Sequence, residues 1–129
     1  MHRSRLAGFI IDCQSEDVDG AAQFWSRALG MPISADQAGD TYRQLQNVPG
    51  GLHVEVQKVT HPSRVHLDIE SDNIEAEAAR LEALGAKRIG KVKSWIVMEA
   101  PTGQRFCVVR AQSEDFPRAS NQWDDPSAI

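Results

Sequence analysis

Five side chains able to bind a metal or move a proton sit at alternating positions in three short apolar stretches. They are His53 and Glu55 within Leu52 to Val59, His66 and Asp68 within Arg64 to Glu70, and Cys107 within Arg105 to Ala111. Successive side chains of an extended strand point to opposite faces. Leu52, Val54 and Val56 therefore share one face while His53, Glu55 and Gln57 share the other. Val65, Leu67 and Ile69 likewise oppose His66 and Asp68, and Phe106 and Val108 oppose Cys107 and Val109. Imidazole, carboxylate and thiolate all bind divalent cations, which polarise substrate oxygens or activate bound water. No His-Glu-x-x-His or paired Cys-x-x-Cys signature holds the set together, so it forms a site only if the strands meet in space. The same alternation also fits a sheet with one solvated face. At the level of single residues, His66 reads as a ligand, a general base or a hydrogen-bonded strand histidine. Cys107 reads as a ligand or a small core hydrophobe, and Asp68 as a ligand-facing or structural carboxylate.

The elements that must position these residues come in two similar sets. Phe9 to Cys13 reads as a buried strand, and Asp17 as the N-cap of a helix carrying Val18, Ala21, Ala22, Trp25 and Leu29 on one face. Gly30 ends that helix and Pro32 prevents its continuation. Short strands follow at Met31 to Ala35, Tyr42 to Gln46 and Leu52 to Val59, separated by Gly39-Asp40 and Pro49-Gly50-Gly51. The second set has a strand at Val65 to Glu70, a cap at Asp72 with Glu75 behind it, and a helix presenting Ile74, Ala78, Leu81 and Leu84. Gly85 closes it, and strands follow near Ala86 to Gly90, Ser94 to Glu99 and Arg105 to Ala111, with a turn at Pro101-Thr102-Gly103. Asp17 and Asp72 stand 55 residues apart, as do Gly30 and Gly85. The order is strand, helix and three strands, repeated once.

The chain has 129 residues, enough for one domain that buries a core without disulfides or metals as props. Its net charge of −4, with lysine and arginine dispersed, argues against a nucleic-acid footprint. The apolar run Leu6 to Ile11 is too short to span a membrane, and no cleavage site follows it, so a cytoplasmic setting is expected. Cys13 and Cys107 are then expected to be free thiols. From Gln112 the chain turns polar and reads as a C-terminal arm over 112–129, with Phe116 and Trp123 as anchors for docking. Trp95, beside short strands and loops, is a candidate pocket wall.

Phe24-Trp25 with Leu29-Gly30, then Val65 to Ile69, Leu81 to Ala86 and Pro101 to Cys107, resemble in order the halves of a glyoxalase-like domain. The chain is thus similar to the vicinal oxygen chelate superfamily, which includes glyoxalase I, bleomycin-resistance proteins and extradiol dioxygenases. The resemblance implies an α+β fold of two βαβββ modules, 6–59 and 64–111 within a domain at 1–111, whose curved mixed sheets enclose a cleft. It also implies a site. Glu55 and His66 match metal-ligand positions and would be catalytic, whereas the final-strand position falls at Cys107 in place of the usual carboxylate. The first-strand position falls at Gly8, Ile10 or Ile11, none of which binds a metal through its side chain. One implied function is a lyase, isomerase or dioxygenase with a degenerate metal site, in which Glu55, His66 and Cys107 hold zinc, nickel, iron or manganese. The other is a metal-free binding or resistance protein, with His53, Glu55, His66 and Trp95 facing a small organic ligand and Asp68 as a further ligand-binding candidate. Both imply a small-molecule partner and a homodimer, and neither involves nucleic acid or a membrane.

Overall fold

The computed structural model describes residues 1–35 and 39–124. They form an α+β fold of two compact units, one comprising the described residues within 8–66 and the other 1–7 with the described residues from 67 onwards. Residues 125–129, at the end of the expected arm, lie outside the described residues.

In the 8–66 unit, β1 (His2–Gln14, of which residues 8–14 belong here) is followed by α1 (Val18–Leu29), β2 (Tyr42–Leu45) and β3 (His53–Val59). Strand β3 is central, parallel to β1 and antiparallel to β2. Asp17 caps α1 by accepting the Gly20 N–H, and Gly30 takes the left-handed conformation that stops it. Ala22, Leu45, Val54 and Val56 form the core, with Phe9, Ile11, Cys13 and Trp25 packed against it. The helix face is shorter than its periodicity predicts, since Leu29 is exposed at its end. The predicted strand at Met31 to Ala35 reduces to an isolated bridge between Ile33 and Leu45, because Pro32 has no N–H to extend a ladder.

The other unit contains most of β4 (Arg64–Ser71), then α2 (Ile74–Ala83), β5 (Lys87–Val92), β6 (Trp95–Glu99), β7 (Arg105–Arg110), α3 (Phe116–Ala119) and β8 (Asn121–Trp123). Strand β7 runs parallel to β4 and antiparallel to β6, which pairs antiparallel with β5. Ala78, Leu81, Ile96, Met98, Phe106 and Val108 make its core, backed by Ile69 and Ile74. Three expectations change here. Asn73, not Asp72, caps α2, its side chain accepting the Ala76 N–H while Asp72 accepts the Arg3 N–H. Leu84 is exposed because the helix ends one residue before it. On β4 the apolar face is only partly covered: Ile69 packs on the core, but Leu67 and Val65 are exposed. Replacing Asn73 with alanine is expected to cost about 1 kcal/mol in urea unfolding, the usual value of a lost N-cap. The corresponding Asp72→Ala change should leave the helix cap intact.

The first seven residues belong with the second half of the chain. His2, Arg3 and Ser4 pair with β8, so the segment after Gln112 supplies a strand. Glu70 anchors it, accepting hydrogen bonds from Arg5 Nε, the Gln112 and Ser113 amides and the Ser113 hydroxyl. Phe116 is buried, and Trp123 donates its indole N–H to Ser4 Oγ at 2.9 Å. Among the described residues no helix is long and apolar enough to cross a membrane.

Candidate functional site

The 8–66 unit has a polar face and an apolar one, and strand register assigns them. Val54 and Val56 face α1, whereas Glu55 lies beside Ile10 on β1 and Gln44 on β2. Gln57 has Asp12 and Tyr42 as its register partners. Because register partners share a face, Asp12, Tyr42, Gln44, His53, Glu55 and Gln57 occupy the side away from the core. The alternation expected of β3 therefore holds.

Two carboxylate–imidazole pairs organise this unit. His53 Nε2 lies 2.5 Å from Glu55 Oε1, and Gln44 Nε2 lies 3.2 Å from His53 Nδ1. With the glutamine amide donating to Nδ1, the ring proton sits on Nε2 and is donated to Glu55. In the second pair, His66 Nδ1 lies 2.7 Å from Asp12 Oδ2. The His66 side chain is 12% exposed and that of Asp12 only 2%, so this pair is far drier than the first. Arg64 Nε lies 3.7 Å from the same oxygen and adds positive charge at the rim.

Asp12 was not among the residues singled out from sequence. A usable signal existed, since it is the one carboxylate in the run Phe9 to Cys13, and alternation places it opposite Ile11 and Cys13. Its other oxygen, Oδ1, is buried without a hydrogen-bond partner among the described residues. Such groups are uncommon in native interiors and concentrate where function requires them.

The remaining candidates lie in the other unit. Asp68 on β4 and Cys107 on β7 are register partners, both half-buried, offering a carboxylate and a thiol side by side. Cys107 is a free thiol beside the core and not within it. Trp95 is half-buried at the start of β6, where Lys93 Nζ stands 6.0 Å from its ring centroid. Neither unit by itself holds the three donors Glu55, His66 and Cys107. Of that set the 8–66 unit offers Glu55 and His66 alone, one short of the three protein ligands of an open catalytic zinc site, and the proposed chemistry is not routed through a metal.

The profile of a family described as glyoxalase-like domain matches residues 8–109. No curated protein matches the chain. Among solved structures, methylmalonyl-CoA epimerase from Mycobacterium tuberculosis superposes with a TM-score of 0.59 at 12% identity, over 84% of this chain and 89% of that one. A structure titled NAD-dependent benzaldehyde dehydrogenase from Legionella pneumophila gives 0.60 at 8% identity, over 81% and 99% of the respective chains. A putative dioxygenase from Bacillus subtilis gives 0.52 at 14% identity, with 83% of this chain covering 41% of that one. At these identities the likeness is one of fold.

Proposed function

Since the chain belongs to the glyoxalase-like domain family, we propose that it is a small-molecule enzyme of the isomerase or lyase type, moving a proton on a compact oxygen-bearing substrate. The observation that supports this reading is the dry pairing of His66 with Asp12 in the unit whose polar face also carries the His53–Glu55 pair. An imidazole held by a carboxylate is the standard arrangement of a general base. Glu55, oriented by His53, supplies an acceptor for a substrate hydroxyl, and Gln44 and Tyr42 add neutral hydrogen-bonding groups on the same face. The chemistry that fits is removal of a proton next to a carbonyl, followed by its return to a neighbouring position or by departure of a leaving group.

The second reading, a metal-free binding protein, is favoured by one feature. Both ring nitrogens of His53 are engaged, by Gln44 and Glu55, which makes that part of the face a fixed recognition surface and not a base. Proton exchange separates the two. The protein is incubated in D2O with α-hydroxy ketones and 2-oxo acids, and deuterium uptake is followed by NMR. We expect uptake to fall at least about 10²-fold in His66→Ala. Glu55→Gln should mainly raise KM. Binding by calorimetry without exchange in any compound would favour the binding protein. Stoichiometric metal in protein purified without chelator, lost in both variants, would overturn the metal-free chemistry.

A further inference from the structure

We infer that the outward face of α1 is a self-association surface, on which two copies of this chain pack their first helices antiparallel about a two-fold axis at Phe24. The inference rests on the 8–66 unit alone and not on the activity proposed above. Helix α1 turns Val18 and Ala22 inward, where both are buried. Gly20, Gln23, Phe24, Arg27 and Ala28 lie on the other side and line a shallow, open depression. Phe24 is 62% exposed, the one exposed aromatic side chain among the described residues. Its ring stands edge-on to Trp25, with centroids 5.0 Å apart and planes at 87°, so it is held in place. A rigid aromatic side chain on an open surface is the kind of anchor that dominates binding between proteins.

The shape of this face complements itself. Gly20, Phe24 and Ala28 recur every fourth residue and so form one ridge, with the large side chain in the middle and small ones at both ends. Gly20 is obligatory, since a Cβ there would stand 2.4 Å from Oδ2 of the Asp17 cap. With the axis at Phe24, Gly20 stands opposite the partner's Ala28. Helical side chains lean toward their own N-terminus, which carries each Phe24 ring over the gap between its own Gly20 and Ala28 of the partner subunit. A two-fold axis forms both contacts at once.

Charge selects the same arrangement. Asp19 and Arg27 lie along one flank of the ridge, acidic at the start of the helix and basic in its last turn. Antiparallel packing sets Arg27 two residues, about 3 Å of helix rise, from the partner's Asp19, within reach of an arginine side chain, and the symmetry repeats the pair. Parallel packing would set like charges together. Asp19 already accepts Arg43 Nε at 2.8 Å yet keeps 71% of its side chain exposed, so it has room for a second guanidinium. At a net charge of −4 two copies repel in most orientations, which makes a locally matched patch the one most able to hold them. The sheet edge β5 is a poorer candidate, because Lys87 and Lys91 discourage strand pairing there. Helix α1 covers the Val54 and Val56 side of its sheet, so the contact leaves His53 and Glu55 uncovered on the other. One face of a 12-residue helix buries less than a standard interface, and the dimer should be weak, with Kd on the order of 10⁻⁵ to 10⁻⁴ M.

The test is sedimentation equilibrium of the full chain up to about 0.5 mM, where such a dimer is well populated. We expect Phe24→Asp to raise Kd at least about 30-fold and Arg27→Glu roughly tenfold, each with an unchanged circular dichroism spectrum. Asp19→Lys should weaken association as Arg27→Glu does. An equimolar mixture of these two charge variants should associate at least as tightly as the wild type, because one copy then carries only acidic groups at the contact and the other only basic ones. If Phe24→Asp fails to fold, the charge variants and their mixture carry the test. A wild-type protein that stays monomeric throughout overturns the inference. So does a dimer whose Kd is unmoved by Phe24→Asp and Arg27→Glu, which would place the contact elsewhere, and so does a mixture that fails to recover association.

Discussion

Replacing Glu77 with alanine is expected to destabilise the protein by about 3–5 kcal/mol in urea unfolding, as when one member of a buried ion pair is removed. Glu77 is fully buried on α2, where His2 Nε2 lies 2.7 Å from its Oε1. Arg80 grips both oxygens, Nε on Oε1 and an NH2 nitrogen on Oε2, each at 2.8 Å. The Arg80 guanidinium in turn lies 3.9 Å from the Trp123 ring centroid. One carboxylate thus links the N-terminal strand, the second helix and the C-terminal strand, and its loss takes an acceptor from a buried imidazole and from a half-buried guanidinium. Glu77→Gln keeps an acceptor for one of them and should cost clearly less. Equal losses in the two variants would show that helix packing, and not the carboxylate, is what matters here.

The same network sets an acid limit. Burial alone would raise the Glu77 carboxyl, but hydrogen bonds from Arg80, His2 and Ser4 outweigh it and hold the group below its ordinary value near 4.5. Glu70 is similar: burial pushes it up, and the Gln112 amide, Arg5 and Ser113 bring it down further than that. A group whose folded value is depressed binds more protons when unfolded, so its contribution is complete above the ordinary carboxylate value and is lost as pH falls through the folded one. The urea midpoint should therefore drop below about pH 4.5 in the wild type. In the double variant Glu70→Gln/Glu77→Gln it should start lower and change less with acid. A wild-type midpoint that stayed flat down to pH 3 would contradict the assignment.

How much of this was legible in the chain depends on how far each interaction reaches. The Asp17 cap and the Gly30 stop are set within three residues and one turn, so local chemistry was enough to find them. The cap of α2 was displaced by a single residue because Asp72 is drawn off by the Arg3 amide, 69 positions away. Nothing near Asp72 records that competition. Strand β1 begins at His2, well before the strand expected from Phe9, because its first residues find their partners in β8, and His2 and Ser4 are buried through hydrogen bonds. Periodicity separated the faces of β3 correctly, since both depend only on alternation. It could not tell that Val65 and Leu67 stay exposed, because coverage of a face is a property of what packs there and not of the strand. In the site, His53, Glu55 and His66 were visible by type. Asp12 was hidden by its surroundings, four apolar or small neighbours that read as a continuous buried strand.

Introducing any side chain at Gly8 should be the most damaging single change on β1, costing roughly 3 kcal/mol or more even for alanine. Gly8 is paired with His53, and a Cβ built on it would stand 1.7 Å from the His53 carbonyl oxygen. No rotamer relieves that clash, since the obstacle is backbone and the offending atom precedes every side-chain torsion. Gly30 provides the contrast. Its φ of 70° disfavours other residues, but nothing lies within 4 Å of its would-be Cβ, so Gly30→Ala should cost only about 1–2 kcal/mol of backbone strain. Gly8 is one of the positions at which the superfamily resemblance would put a first-strand metal ligand. Gly8→His therefore cannot restore one simply by adding an imidazole, because the variant must first push β1 away from β3 at His53, beside the Glu55 it would need as a co-ligand. We expect Gly8→Ala and Gly8→His both to unfold at much lower urea than Gly30→Ala, and neither to gain zinc affinity by calorimetry. A Gly8→Ala protein of wild-type stability would show that the His53 backbone yields, and would reopen the route to a rebuilt metal site.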